Sequence, residues 1–490
     1  MTDPNTHYNK GLLKSKLFRV ALGIVGVLLI GIFGVQLYVK HKISHLIAAE
    51  LPAHFEMTYA DLNLNILLGN VEFEDVKLTK INLETQNTSA TISIKTLEVT
   101  SISYWALFKN EQFIADDIIV NNAKVKRFKK DAKTLRFSVK DLSFKLSNFV
   151  TDRLLLKQKI PFEYAYFNMT LTGLYFDLSR YETLEIAKLS YADTTLEFHD
   201  LALSSKWSKS ELSKRLLQER DYVSFKVLKG TSTNFHVETI QDRFMVSADN
   251  FVLDTSKLHL FRDKLIADDT SKKSLYGNSL KNLPFSLDIK HFLIDDLGVF
   301  YSERVDKDIE PVSISFENIA GKIDNISNIN TGKTAVAVTA KLMGKAPLQF
   351  NWDFKVLDAS YGFNASVVLK DLDALTINPF LESQANVRAV GRINEMYFTI
   401  HGSNETSTGD MKMKYEDFKF SILNEDQLGI NKTLTALVNL ITNDGSKTDD
   451  NGYRYGEITA ERDVTKSFFN YLWLNTKNGL KNTLTGNGEK

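Results

Sequence analysis

Residues 67–78 read LLGNVEFEDVKL, and this stretch decides the fold. Val71 and Phe73 alternate with polar residues, and so do Val76 and Leu78, but the second pair is out of phase with the first. A period of two is typical of a half-buried β-strand, and a one-residue shift exchanges the two faces unless a bulge or a turn absorbs it. The stretch therefore predicts a strand–bulge–strand or strand–turn–strand unit with its shift at Glu74 and Asp75.

The same step recurs at irregular spacing along the chain. An acid or asparagine starts the shifted part at Asp141, Asp200, Asn250 and Asp417. Strand-like stretches cover residues 90–103, 113–128, 162–178, 184–203, 222–228, 234–253, 285–301, 312–323, 335–356 and 361–369. Because most of them have one apolar and one polar face, they favour antiparallel sheet. The prediction is a mainly β protein.

Helical patterns are few. Residues 207–221 predict a surface helix, residues 262–282 a long exposed polar loop, and residues 426–443 an amphipathic helix. Residues 463–484 predict a closing helix with an aromatic cluster ahead of two lysines. The cluster consists of Phe468, Phe469, Tyr471, Leu472 and Trp473. Two interpretations stay open: a helix lying at a membrane interface, or a cap that closes the end of a sheet.

Residues 20–39, VALGIVGVLLIGIFGVQLYV, contain no charge. At ~1.5 Å of rise per residue they extend over ~30 Å, which matches the hydrocarbon core of a bilayer. We therefore expect a single transmembrane helix. Its apolar residues include Val20, Leu22, Ile24, Val27, Leu28, Leu29, Ile30, Ile32, Phe33 and Val35. The alternative is a cleaved signal peptide, but the run is longer than usual and ends without a small-residue cleavage site.

The charges beside this run predict its orientation. Four basic residues precede it, and two follow, Lys40 and Lys42. The positive-inside rule places residues 1–19 in the cytoplasm and everything after the run across the membrane. Residues 40–66 are expected to form a juxtamembrane helix, stopped by Pro52, and the entry to the sheet.

Composition excludes several classes of protein. Lys+Arg and Asp+Glu are 60 each, so the chain lacks the basic excess of a nucleic-acid-binding surface. The chain has no cysteine, which excludes disulfides, thiolate metal sites and cysteine nucleophiles. Paired acids at Asp116–Asp117, Asp268–Asp269 and Asp295–Asp296 fall at strand ends, where Asp commonly serves turns. No motif assigns a catalytic residue, a metal ligand or a cofactor, and the prediction is that the protein is not an enzyme.

A family resemblance rests on three places. The anchor, a helical stretch and then residues 67–78 resemble the opening of AsmA-like proteins, in which a membrane helix leads into a chorein-like β start. Residues 373–420, with Pro379, Gly391, Gly402 and Gly409, resemble the C-terminal β region of that family. The closing aromatic helix is the third. The domains expected are an elongated β-groove over residues 67–370, the AsmA-like C-terminal β region over 371–425 and a helical cap over 426–490.

The resemblance implies a long, twisted antiparallel sheet curled into an open groove, anchored in the inner membrane and standing in the periplasm. In the wider bridge-like lipid-transfer group, such grooves carry acyl chains on an apolar lining. An independent reason is that a sheet with one apolar face must bury that face, and helices are too few here to cover it. Candidate lining residues are Val71, Phe73, Ile92, Ile94, Phe137 and Val139.

Three functions compete at this point. The first is a membrane-anchored scaffold that binds or transfers phospholipid or another acyl-chain lipid and contributes to outer-membrane lipid homeostasis or assembly. The second is an assembly protein whose sheet edges and aromatic helix engage envelope proteins without carrying lipid. The third is an exported enzyme with an unrecognised site. No nucleic-acid partner is expected.

Overall fold

A computed structural model describes residues 54–241, 243–357, 362–385, 387–423 and 448–485, together with the helical residues 34, 36–38, 40 and 41. These residues are mainly β: 20 strands belong to one sheet, and helices are few. The chain divides into two compact units, Met1–Leu171 and Thr172–Lys490, here called the N-terminal and the C-terminal unit.

Three predictions fall outside the described residues. They are the amphipathic helix at 426–443, the juxtamembrane helix beyond residue 41, and the anchor residues Val20, Leu22, Ile24, Val27, Leu28, Leu29, Ile30, Ile32, Phe33 and Val35. Within the described ranges, no helix combines the length and the apolar character needed to cross a bilayer.

The N-terminal unit is an antiparallel sheet centred on β3. Its strands are β1 (Phe55–Thr58), β2 (Asp61–Asn65), β3 (Asn70–Ile81), β4 (Thr88–Thr100), β5 (Phe113–Phe128) and β6 (Leu135–Thr151), and β7 (Tyr166–Asp177) crosses the division between the units. Both β1 and β2 pair with β3, which pairs with β4, and β5 and β6 follow. Helix α1 (Tyr104–Lys109) lies in the β4–β5 connection, and a 3-10 turn (Leu155–Lys157) lies in the β6–β7 connection.

The C-terminal unit continues with the remaining strands. They are β8 (Glu182–Ala192), β9 (Thr195–Ser205), β10 (Tyr222–Thr233), β11 (His236–Ile240), β12 (Arg243–Asp263), β13 (Ser286–Arg304), β14 (Ser313–Ser327), β15 (Lys333–Leu342), β16 (Ala346–Lys355), β17 (Phe363–Asp373), β18 (Val387–Gly402), β19 (Thr406–Ile422) and β20 (Arg454–Glu461). From β13 to β20, each strand pairs antiparallel with the next.

The sheet is mixed, whereas the sequence predicts a purely antiparallel one. Strands β12 and β13 run parallel, with Met245 opposite Ser286 and Asp263 opposite Arg304. Parallel neighbours need a long crossover, because the chain must return to the end at which the first strand began. Residues 264–285 provide it. This segment includes most of the predicted polar loop, and it also contains helix α3 (Tyr276–Lys281).

Helices differ from the predictions in length and place. The predicted surface helix at 207–221 is confirmed but shorter: α2 (Lys209–Arg215) begins at Ser208, which forms a capping box with Glu211. Helix α4 (Ala374–Ala385) interrupts the region that was expected to be β over residues 371–425. The closing helix is α5 (Phe468–Thr485), which packs on β20.

Left-handed residues inside the strands explain the phase shifts. The predicted steps at Asp75, Asp200 and Asp417 carry φ values of 49°, 51° and 45°, and the strand continues through each of them. Other strands have such a residue where the sequence does not name one. They include Asn122 on β5, Gly173 on β7, Thr255 on β12, Asn318 on β14 and Asp371 on β17. A left-handed residue re-aims the following side chains and bends the strand, so apolar residues stay on one face.

Side chains at these positions bind the neighbouring strand. Asp75 accepts a hydrogen bond from Lys95 Nζ at 3.0 Å. Asn122 Nδ2 donates to Asp141 Oδ2 at 3.0 Å. The register between β5 and β6 changes on both sides of the Ala123–Leu142 pair, so the shift that the sequence predicts at Asp141 lies beside the left-handed Asn122. Asp and Asn tolerate the left-handed region because a short polar side chain can hydrogen-bond locally.

A pair of substitutions tests the left-handed conformation at Asp200. Asp200→Val should lower the free energy of unfolding by about 1–2 kcal/mol, because a β-branched residue is strained at positive φ. Asp200→Gly, the matched control, should leave stability unchanged or raise it, since glycine adopts this region freely. Urea unfolding of the full chain measures both. Equal losses in the two variants would mean that the aspartate side chain matters and the backbone conformation does not.

A buried ion network joins the segment before α5 to the middle of the C-terminal unit. The Glu219 side chain is 3% exposed, and its oxygens accept from Lys264 Nζ at 2.8 Å and Lys466 Nζ at 2.9 Å. Arg262 lies 3.9 Å from the same carboxylate and forms a two-pronged pair with Asp221. Burial by itself would raise the pKa of Glu219, but the hydrogen bonds from Lys264 and Lys466 and the nearby cations lower it.

Removing this carboxylate should destabilise the protein. We expect Glu219→Gln to cost about 3 kcal/mol at neutral pH, because it leaves buried cations without their counter-charge. Since the pKa is lowered in the folded state from its ordinary value of 4.5, the stabilisation is complete above that value and is lost as the pH falls through the folded-state pKa. Urea unfolding against pH should show the two proteins converging in acid. Glu238→Gln, at an exposed position of β11, is the control, and an equal loss there would contradict the assignment.

Candidate functional site

One face of the N-terminal unit collects the apolar side chains of several strands. We call it the N-terminal apolar face. Its residues are Leu62, Leu64, Val71, Phe73, Val76, Leu78, Ile92, Ile94, Leu97, Val99, Ile118, Val120, Val125, Phe137, Val139, Phe144 and Leu146. Every predicted lining residue is on this face, so the structure brings Val71, Phe73, Ile92, Ile94, Phe137 and Val139 together.

Strand register places these residues in rows across the sheet. Phe73 lies opposite Leu62 on one side and Leu97 on the other. The row continues from Leu97 to Val120 and from Val120 to Phe144. A second row runs from Leu78 through Ile92 and Val125 to Val139. Directly opposed residues share a face, so each row is a strip of apolar side chains across four strands or more.

The left-handed residue Asp75 keeps the two rows on the same face. Phe73 and Val76 stand on either side of the phase shift, yet both belong to one packed cluster with Leu62. Without the shift, Val76 and Leu78 would point to the polar side. The sequence could name the apolar residues but not their common face, because the shift had two possible geometries.

Burial differs along this face. Phe73, Val76 and Val139 are buried, whereas Val71, Ile92, Ile94 and Phe137 keep part of their surface exposed. The side chains that pack around Leu62, Phe73 and Val76 come from β1 to β4 and the residues between β1 and β2. The face is therefore covered by its own neighbours in the sheet, and many of its side chains retain area that a ligand can bury.

Aromatic rings line the part of the face near the β6–β7 connection. Phe149 lies 6.0 Å from Phe113 and 5.3 Å from Phe162, measured between ring centroids. From Phe162 the contacts continue through Tyr164 to Phe167 at 6.2 and 5.9 Å. Flat, rigid rings offer large apolar contact area, and this row extends the surface towards the end of the unit at which α1 lies.

The opposite face of these strands is polar. Glu72, Lys77, Ser93 and Lys124 alternate with the apolar residues. Asp117 there accepts from the Ser147 hydroxyl at 2.7 Å and pairs with Lys145 at 3.0 Å. These two partners hold the pKa of Asp117 below its ordinary value. One side of the sheet is therefore polar and faces water, and the other side is apolar.

A second, smaller apolar surface lies on β8 to β13 of the C-terminal unit. Ile186, Phe198 and Val227 form its buried centre. Phe251 stacks on Phe292 with ring centroids 5.2 Å apart. The Phe198 ring packs directly against Gly230. A Cβ at this position would lie 2.1 Å from the ring, so a residue with a side chain does not fit.

At the end of the C-terminal unit, the chain fills its own apolar face. Helix α5 packs on the sheet and buries Phe468 and Tyr471, which are 3% and 1% exposed. A cavity beside Tyr276, Trp352 and Phe468 has a volume of about 10 Å³, too small for an acyl chain. The interpretation of this helix as a cap therefore fits these two residues. Leu472 is half-buried, and Phe469 and Trp473 remain exposed.

The acids considered in the sequence have local partners. Besides Asp117, Asp269 pairs with Lys273, which holds the pKa of Asp269 well below its ordinary value. Asp296 accepts from Asn318 Nδ2 at 3.5 Å. Where the structure describes the chain, no group of three His, Cys, Asp or Glu side chains is placed to hold a metal ion. Asp117 and Asp296 therefore bind residues of neighbouring strands, and Asp269 binds a residue of its own connection.

Comparison with models of protein families and with curated proteins found no match to this chain.

Sequence reasoning missed Leu97, Val99, Ile118, Val120 and the aromatic row. The alternation of Leu97 and Val99 was a usable signal. The run Ile118-Ile119-Val120 was not, because only its register against β4 and β6 shows which side chains share the face.

Proposed function

We propose that the protein is a membrane-anchored lipid-binding or transfer scaffold, and that acyl chains of phospholipid or a related lipid lie on the N-terminal apolar face. In this proposal, residues 20–39 anchor the chain in the inner membrane with the N-terminus in the cytoplasm. The body stands in the periplasm and contributes to outer-membrane lipid homeostasis, as the resemblance to AsmA-like proteins implies. The proposal involves no bond-making step and no cofactor.

The observation that carries the proposal is the set of continuous, partly exposed apolar rows on one sheet face. Fully burying a Val, Leu or Ile side chain is worth about 1.5–3 kcal/mol relative to leaving it exposed. Ile92, Ile94 and Val71 realise only part of this gain from their neighbours in the sheet. Extended contiguous apolar surface of this kind marks interaction sites, and acyl chains match its lack of polar partners.

The contrast with the end of the C-terminal unit supports the same proposal. There the chain covers an apolar face with α5, and the cavity beside Phe468 has a volume of only about 10 Å³. In the N-terminal unit, the described α-helical residues are those of α1, in the β4–β5 connection at the end of the sheet, and residues 34, 36–38, 40 and 41, which contact β2 through Gln36 and Lys40. The N-terminal apolar face therefore needs an external cover, and the face under α5 does not.

A second candidate is the assembly protein that carries no lipid. The exposed side chains of Phe469 and Trp473, at 59% and 49%, favour it, because aromatic residues are enriched where proteins bind one another. In this alternative, α5 is the contact surface and the N-terminal apolar face is covered by a protein partner.

Site-specific photocrosslinking tests the proposal. We expect p-benzoylphenylalanine in place of Ile94, introduced into the full chain in cells, to form phospholipid adducts on illumination, detected by mass spectrometry of the denatured protein. The same group in place of Ser93 is the matched control, because that residue is the immediate neighbour on the polar face of β4. Adducts at both positions, at neither, or with protein at position 94 would contradict lipid binding on this face.

A charge on the face should weaken the adduct formed elsewhere on it. With the crosslinker in place of Phe137, we expect Ile92→Asp to lower the lipid adduct about tenfold, which corresponds to ~1.4 kcal/mol of lost binding. Ser93→Asp should leave it unchanged, and circular dichroism checks that both variants keep their strands. An equal effect of the two aspartates would show that the face itself does not bind the lipid.

A further inference from the structure

The connections at one end of the N-terminal unit carry an unusual number of exposed apolar side chains. This end is defined by three connections, residues 66–69 between β2 and β3, 101–112 between β4 and β5, and 152–165 between β6 and β7. We call it the apolar end. Its exposed residues include Leu67, Leu68, Trp105, Leu107, Leu154 and Leu156. Leu67, Trp105 and Leu154 are each at least 70% exposed.

The three connections lie side by side. Ile102 N donates to Gly69 O at 2.9 Å, which joins the first connection to the second. Arg153 pairs with Glu111 at 3.2 Å, which joins the second to the third. Lys109 Nζ lies 4.4 Å from the centre of the Trp105 ring. The apolar residues therefore form one surface, with a lysine and a tryptophan in contact on it.

The opposite end of the same unit is polar. Its connections are residues 82–87, NLETQN, and 129–134, KKDAKT. These two segments contain a single large apolar residue, Leu83. Turns are ordinarily polar because they face water, so the polar end needs no partner and the apolar end does.

Contacts of the described helical residues show which end faces the predicted anchor. Gln36 Nε2 donates to Leu64 O at 2.8 Å, and Lys40 Nζ pairs with Asp61 at 2.8 Å. Since β2 runs from Asp61 to Asn65, Gln36 lies nearer the apolar end than Lys40 does. The sequence that precedes Gln36 is the uncharged apolar run. A bilayer spanned by the part of that run before Gln36 would lie on the side of Leu67 and Leu68.

We propose that the apolar end is seated in the interface of the bilayer that holds the anchor, with leucine and tryptophan side chains among the upper acyl chains. Tryptophan and tyrosine are favoured at this depth, and lysine beside them reaches the headgroups. The aromatic row from Phe113 to Phe167 begins at this end. It therefore gives an acyl chain a continuous apolar path from the membrane to the N-terminal apolar face. This last step rests on the proposed function, whereas the bilayer contact rests on the anchor.

The absence of cysteine from the sequence allows single labels to test the contact. The full chain is prepared with Leu68→Cys, Leu156→Cys or Leu83→Cys and labelled with the fluorophore NBD. Each protein is reconstituted into vesicles of phosphatidylethanolamine and phosphatidylglycerol containing spin-labelled lipid. We expect blue-shifted emission and strong quenching at positions 68 and 156. Leu83 is similarly exposed but lies at the polar end, so its label should show water-like emission and little quenching.

The outcomes separate the steps of the proposal. Equal quenching at all three positions, or none at positions 68 and 156 in protein that floats with the vesicles, would overturn the bilayer contact. A blue shift without quenching by lipid would also overturn it, since protein then covers the surface. Protein that fails to float would overturn the anchor on which the contact rests. Lipid adducts at position 94 with no quenching at position 68 would leave lipid binding intact and remove only the seating.

Discussion

The structure depends on one constraint: a strand that breaks its alternation must still keep its apolar side chains on a single face. Left-handed residues meet this constraint on β3, β5, β9 and several later strands. Each L-residue in that conformation costs roughly 1–2 kcal/mol, and Asp, Asn and Gly reduce this cost. The side chain also binds across to the next strand, as Asp75 does with Lys95 and Asp371 with Arg392. The shift is therefore a property of pairs of strands.

Much of the fold follows from the sequence for this reason. The alternation of Val71 and Phe73 and the acid at the step identified a strand, a shift and its position, and the structure agrees at Asp75, Asp200 and Asp417. At Asp141 the predicted shift is also present, since the register between β5 and β6 changes there, and the left-handed Asn122 lies beside it on β5. At Asn250 the corresponding residue is Thr255, further along β12. The position of a shift can be read from the local sequence. Which strand of a pair carries the left-handed residue depends on the neighbouring strand.

Other features needed information that a single sequence lacks. The parallel pairing of β12 and β13 is decided by where residues 264–285 return, and their polar composition is equally compatible with a hairpin loop. Helix α4 contains Pro379 and follows directly on β17, so its pattern resembled a continuation of the strands. The candidate lining residues were chosen from alternation alone, and register was required to show that they share a face and to add Leu97 and Val120.

The N-terminal apolar face and the apolar face at the end of the C-terminal unit differ in how they are covered. Helix α5 approaches β20 closely because glycines face each other: a Cβ on Gly456 would lie 2.5 Å from Thr483 N, and one on Gly479 would lie 2.7 Å from the Met411 side chain. Such close packing leaves no space for a guest. On the N-terminal apolar face, partly exposed Ile92 and Ile94 leave area for one. Helix α5 is a permanent cover because it belongs to the chain, whereas the lipid that we propose for the N-terminal apolar face would be an exchangeable one.

The ion network at Glu219 has a consequence for the order in which the C-terminal unit assembles. Most of its strands pair with a neighbour that is close in sequence, so hairpins can form as soon as both arms exist. The contact between Lys466 and Glu219 instead joins residues 247 positions apart. Closing so long a loop is entropically costly and gains little until the intervening strands are in place. We therefore expect the pairing of Glu219 with Lys466 to form late in folding, after the strands between them are in place.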